Sequence, residues 1–283
     1  MAVTSKIALP QRVTATGAGG VPINVWDFGG DGPPLLLCHC TGTHGRIWDP
    51  LVPKLAERFH VYAPDTRGHG DSGQPSTKDD YRWSLSGQDV RNVASALGFP
   101  PKAFAVGHSA GASHICYAEH QAPGTFGRVV LIDPIIGPAQ AFRSENPLAA
   151  LSRKRKNDFA SREEARARYA SKPPMNAWRP DVLDAYVEHG LRDVSGGVTL
   201  KCPGPIEAMV YEGSGATDVF EDLGRLDLDV LLITSEHSDV RRLVELQKDR
   251  FKRVRFEVIP GASHFIPQEK PAEIADYILE WLA

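Results

Sequence analysis

Cysteine is scarce in this chain, and where it occurs it excludes two classes of protein. The 283 residues hold four cysteines, Cys38, Cys40, Cys116 and Cys202. None makes the paired Cys-x-x-Cys spacing of a zinc site. Cys38 and Cys40 stand at alternate positions of a strand-like run, so their side chains point to opposite faces and do not bridge. A disulfide scaffold is excluded, and a cytoplasmic location is expected. No apolar run approaches the ~20 residues of a membrane span, and the opening MAVTSKIALPQRV lacks the apolar core of a secretory signal. A net charge of −3 leaves no basic field for nucleic acid. His39, His44 and His69 are dispersed without ligand spacing, so neither metal nor cofactor is expected. The expected partner is a small-molecule substrate, with no nucleic acid and no membrane; the oligomeric state is left open.

What is present is an alternating pattern. There is no internal repeat. Val21 to Phe28 reads as a strand, and PPLLLCHC as a central strand covered on both faces, because its apolar run is continuous. DPLVPKLAERF reads as a helix, HVYAPD as a strand, SLSGQDVRNVASALGF as a helix. AFAVG, GASHICYAEHQA and GRVVLIDP continue as strand, helix and strand. Such alternation implies an α/β fold: a mostly parallel sheet with helices on both faces. The pattern breaks near Gly137-Pro138. A polar, helix-rich stretch follows, and buried strand signals return in LDVLLITSE and RVRFEVIPG before a final amphipathic helix, PAEIADYILEWL. The expected organisation is a core of residues 1–138 and 216–283, split by a helical cap of residues 139–215. Arg153, Lys154, Arg155 and Lys156 read as a solvated helix face.

The chemistry concentrates at strand ends, where open parallel sheets bind ligands. Gly107-His108-Ser109-Ala110-Gly111 has the spacing of a nucleophile elbow, a strained strand-to-helix turn that lifts a serine clear of the sheet. Serine is a weak nucleophile until an imidazole takes its proton, and the imidazole keeps one tautomer only if a carboxylate holds its other nitrogen. His264 follows the last strand, and Asp239 and Glu236 follow the one before. The order Ser109, Asp239, His264 is that of an α/β hydrolase.

LLLCHCTGTHGRIWDPL, APDTRGHGDSG, VGHSAG, LLITSEHSD and PGASHFIPQEKPAEIADYI together resemble the α/β-hydrolase superfamily, in its order and spacing, over nearly the whole chain. The resemblance implies the α/β-hydrolase fold with an inserted helical cap. It implies Ser109 as nucleophile, His264 as base and Asp239 as acid, with Asp133 as fallback and Glu236 third. Ser238 stands where the family's acid loop commonly has Asp, and His39-Cys40 replaces the usual His-Gly. The backbone N–H of Ala110, directly after the nucleophile, is expected in the oxyanion hole; the resemblance puts the second donor at Thr41. The implied function is a serine hydrolase cleaving a carboxylic ester or lactone of a small, apolar substrate. Alternatives are carbon–carbon bond hydrolysis, perhydrolysis, or a ligand-binding receptor on the same fold. Phe142, Phe159, Tyr169, Met175, Trp178, Tyr186, Met209 and Tyr211 are candidates for the cap's pocket, with at least half expected in its own core.

Overall fold

A computed structural model describes residues 9–142, 146–214 and 218–282. The chain begins with β1 (Gln11–Thr16), β2 (Pro22–Gly29) and β3 (Pro34–Cys38), then the short α1 (Val52–Leu55) and β4 (His60–Pro64). The elements α2 (Trp83–Ala96), β5 (Ala103–His108), α3 (Ala110–Gln121) and β6 (Phe126–Ile132) follow. The chain then leaves the sheet through α4 (Pro147–Arg153), β7 (Asp158–Phe159), α5 (Arg162–Ala170), α6 (Pro180–Gly190), β8 (Leu191–Val194), β9 (Gly197–Leu200) and α7 (Gly204–Glu212). It returns with α8 (Asp218–Asp222), β10 (Asp229–Ser235), α9 (Arg241–Lys248), β11 (Arg253–Ile259), α10 (Ile266–Glu269) and α11 (Pro271–Leu282).

Eight strands form one sheet in the order β1-β2-β4-β3-β5-β6-β10-β11. The first two are antiparallel to their neighbours; from β4 onward every pairing is parallel. The continuous apolar run of β3 is explained by its central place. Leu35 and Leu37 pack on one face with Trp48, Val106 and the Ile274 and Ile278 face of α11. Leu36 and Cys38 pack on the other face with Val93, Ile115 and Cys116. A strand covered on both faces has no polar side to alternate with.

Three expectations are corrected here. The sequence reading began the sheet at β2 and missed β1, an edge strand whose QRVTAT buries only Ala15 and so lacks a strand's apolar signature. The helix expected over Asp49–Phe59 is one turn, since Pro53 sits where only a first turn tolerates it. The segment between β6 and β10 is not purely helical. Helix α6 ends at Gly190, and Leu191–Val194 begins a hairpin in a three-stranded antiparallel sheet, β7-β9-β8. The far limit of the expected cap falls at residues 215–217, outside the described residues. Among the described residues no helix is long and apolar enough to cross a membrane.

Candidate active site

Strand β5 ends at His108, and α3 starts at Ala110. Ser109 between them has φ 55° and ψ −118°, a region L-residues rarely adopt. The flanking glycines make this turn possible. A Cβ on Gly111 would stand 2.3 Å from the carbonyl oxygen of Cys38, and one on Gly107 2.5 Å from the backbone nitrogen of Ala112. The helix start therefore rests directly on the end of β3. Gly111→Ala is expected to cost about 1–3 kcal/mol by overpacking. It should also open the gap between α3 and the loop after β3; a lower Tm together with reduced turnover checks this.

The hydroxyl of Ser109 is 3.0 Å from His264 Nε2, and His264 Nδ1 is 3.0 Å from Asp133 Oδ2. An ionised carboxylate only accepts, so Nδ1 carries the proton and Nε2 is left to accept from the serine. The carboxylate that reaches His264 is thus Asp133, not the expected Asp239. Asp239 is exposed, at the turn before α9. Glu236 is exposed as well, and its carboxylate accepts from the Gly261 N–H at 2.9 Å. The physical reason lies in the sheet. β6 and β10 are neighbours, with Ile132 paired to Ile233, so both strands deliver a following residue to the same edge. Asp133 turns under the site with φ 45°, its N–H bonded to the Ile233 carbonyl. Its side chain is fully buried. Ser238 and Thr234 each donate a hydroxyl to it, both at 2.6 Å.

The loop that carries His264 is pinned from several sides. His108 Nε2 donates to the His264 carbonyl at 2.9 Å, and Ser235 Oγ donates to the Ser263 carbonyl at 2.7 Å. His108 thus holds the backbone of His264 and not Ser109, as a structural residue.

The loop after β3 contains Thr41, and α3 opens with Ala110. The N–H of a first helical residue has no partner within its helix and faces the dipole's positive end. Gly111 brings that end against Cys38 and His39, which sets Ala110 beside the loop. Two histidines shape the loop as acceptors. His69 Nε2 accepts from the Gly42 N–H at 3.0 Å, and His39 Nε2 from the Thr66 N–H at 2.9 Å. The left-handed residue of the loop is Gly42, φ 82°. Cys40, in place of the family's glycine, is not left-handed and bears a side chain without strain. Its thiol is buried, which pushes its pKa up to about 12, and it touches the Thr43 hydroxyl at 3.5 Å. Such a thiol is inert.

The insertion lays charge against this loop. Arg155 turns inward, unlike Arg153, Lys154 and Lys156, which are exposed as expected. It donates to Glu207 at 2.7 Å and to the Tyr169 and Tyr186 hydroxyls. A Cβ on Gly42 would meet Glu207 Oε1 at 2.7 Å. The sequence reading missed this pair because a run of four basic residues carries no sign of which one turns in. Phe159, Trp178 and Tyr186 are buried in an apolar cluster shared by the insertion and the core, with Tyr169 and Met175 against it; Tyr186 stacks on His44 and Trp178 meets Phe265.

Several imidazoles are buried neutral. Burial lowers the pKa of His39 and His108 strongly, and those of His44 and His114 to about 3. A folded pKa below the unfolded value near 6.5 means that the unfolded chain binds more protons, so stability falls as pH drops below about 6.5. Each such histidine adds a slope of up to about 1.4 kcal/mol per pH unit. Asp65, Asp89 and Glu119, raised by burial, act in the opposite sense with smaller shifts. Urea midpoints are therefore expected to fall steeply between pH 7 and 5; a flat profile would contradict the burial of these rings.

A serine on a strained strand-to-helix turn, at the carboxyl edge of a mostly parallel eight-stranded sheet, defines the α/β-hydrolase architecture. The profile of the alpha/beta hydrolase family matches residues 35–277, and the chain belongs to that family. It is 27% identical over 278 residues to the soluble epoxide hydrolase of Corynebacterium sp. strain C12, covering 90% of this chain and 91% of that one. It is 28% identical over 262 residues to the 2-(acetamidomethylene)succinate hydrolase of Mesorhizobium japonicum, covering 89% and 88%. A crystal structure of an E-2-(acetamidomethylene)succinate hydrolase superposes with a TM-score of 0.82 at 23% identity, covering 96% of this chain and 99% of that one.

Proposed function

We propose that the protein is a serine hydrolase with Ser109 as nucleophile, His264 as general base and Asp133 as the orienting acid. One observation carries this reading: the unbroken relay from the Ser109 hydroxyl through His264 to a buried carboxylate, at 3.0 Å and 3.0 Å. Its substrate is a carboxylic ester or lactone. Ser109 attacks the carbonyl carbon as His264 takes its proton. The N–H groups of Ala110 and Thr41 receive the charge that develops on the carbonyl oxygen, a contribution of about 3–4 kcal/mol per donor in comparable sites. His264 then protonates the departing alkoxide. Water, deprotonated by His264, attacks the acyl-enzyme and releases the acid, restoring the serine.

Serine at the elbow also argues against the activity named for the Corynebacterium relative. A serine oxygen that opened an epoxide would form an ether, which water does not cleave. A carboxyl ester of serine, by contrast, turns over.

The insertion side of the oxyanion loop is charged, through Arg155 and Glu207. The substrate panel therefore spans polar as well as apolar acyl groups: short p-nitrophenyl esters, lactones, meta-cleavage diketones and an acetamido-substituted dicarboxylate. The reading expects multiple turnovers on at least one ester or lactone, and stoichiometric labelling of Ser109 by a fluorophosphonate. Labelling without turnover would favour a ligand-binding role instead.

A further inference from the structure

Asp133 is fully buried, and its oxygens are used unequally. Oδ1 accepts from the Thr234 hydroxyl at 2.6 Å. Oδ2 accepts from two donors, the Ser238 hydroxyl at 2.6 Å and His264 Nδ1 at 3.0 Å. A carboxylate withdrawn from water is costly unless its lone pairs are met. Here both hydroxyl donors come from the next strand and the turn that follows it, not from the acid's own strand. Thr234 lies in β10, beside β6. Ser238 lies just beyond, in a turn closed by its N–H to the Ser235 carbonyl at 3.4 Å, and its hydroxyl accepts from the Val240 N–H at 3.3 Å.

This arrangement has a directional consequence. Rotation about the bond between Cβ and the carboxyl carbon would carry Oδ2 away from the imidazole. Thr234 alone fixes one oxygen but leaves the plane free to tilt. Ser238 grips the same oxygen that faces the ring, and its own hydroxyl is oriented because it also accepts from Val240.

We propose that Ser238 is a positioning residue of the active site. It holds the Asp133 carboxylate toward His264; because its hydroxyl and His264 Nδ1 meet the same oxygen, Oδ2, at 2.6 Å and 3.0 Å, the inference extends to a carboxylate at position 238 reaching the ring in place of Asp133. The inference rests on the serine-hydrolase reading given above. Ser238 touches no substrate and acts only through Asp133.

The test uses the full chain. Ser238→Ala is expected to lower kcat about 10-fold, with KM within twofold of wild type, because the acid matters as charge develops on the imidazole. Ser238→Thr, which keeps the hydroxyl, should recover most of the rate. Unchanged kcat in Ser238→Ala, or a loss that Ser238→Thr does not recover, overturns the positioning role. In the second arm, Ser238→Asp is added to Asp133→Asn. At least a 10-fold gain over Asp133→Asn alone is expected, and no gain in a folded double variant overturns the reach assigned to position 238. A third readout needs no substrate. The downfield proton signal of His264 Nδ1, identified by its loss in His264→Ala, should broaden in Ser238→Ala as exchange with water rises. A broadened signal in a chain that hydrolyses nothing would sink the serine-hydrolase reading and leave the positioning intact. An unchanged signal in an active enzyme would do the reverse.

Discussion

Ser109→Ala is expected to abolish hydrolysis, by on the order of 10⁴-fold or more, while leaving the protein folded. The hydroxyl stands 3.0 Å from His264 and is nearly buried. On the proposed mechanism its removal deletes the atom that would bond to the acyl group, and it vacates no packed core. The strain of φ 55° remains, because alanine also has a Cβ and meets the same clash. The thermal midpoint should therefore stay within a few degrees of wild type. Residual catalysis from the two proposed backbone donors is expected only at the level of an oxyanion hole without a nucleophile. Purified Ser109→Ala with substantial ester turnover would remove the serine from the mechanism. Cys40 is the neighbouring nucleophile that would then have to be considered. Its thiol is buried, which pushes its pKa up to about 12 and leaves little thiolate to attack.

The elbow serine and the histidine beside it were legible in the sequence because their geometry is enforced by local constraints. Gly107 and Gly111 cannot bear side chains where the helix start meets β3, so the elbow leaves a glycine signature. His264 follows the last strand, where no other histidine competes. The carboxylate that meets His264 was ambiguous for a topological reason. Asp133 and Asp239 lie beyond the ends of adjacent strands, and adjacency in the sheet is not written in spacing along the chain. A clue did exist. Ser238 occupies the place where an acid is common, and the structure shows its hydroxyl serving a carboxylate that arrives from next door. Much of the insertion was illegible. Its hairpin is short, and Arg155 is inward only because Glu207 and two phenols meet it there. Those partners are 14 to 52 residues away along the chain.

The second large effect separates the carboxylates. Asp133→Asn is expected to lower kcat by up to about 10⁴-fold, by analogy with the same exchange in serine proteases. The amide preserves shape, yet it cannot accept from Thr234, Ser238 and His264 together. One of its ends is now a donor, and it faces a hydroxyl or the imidazole. If the amide nitrogen faces the ring, His264 must present a bare Nδ1 and carry its proton on Nε2, where it can no longer receive the proton of Ser109. If the oxygen faces the ring, the tautomer survives, but the imidazolium formed on attack loses its counter-charge in a site with little water. KM should move much less than kcat, because the ground-state complex does not yet contain that charge. Asp239→Asn and Glu236→Gln are expected within about twofold of wild type, since both side chains are exposed and neither reaches the ring. Steady-state kinetics on one good ester from the panel, with circular dichroism to verify folding, settles the order. Collapse in Asp239→Asn with near-normal kcat in Asp133→Asn would mean that the buried carboxylate only braces the sheet edge. The imidazole would then have to swing toward the turn before α9 in the working enzyme.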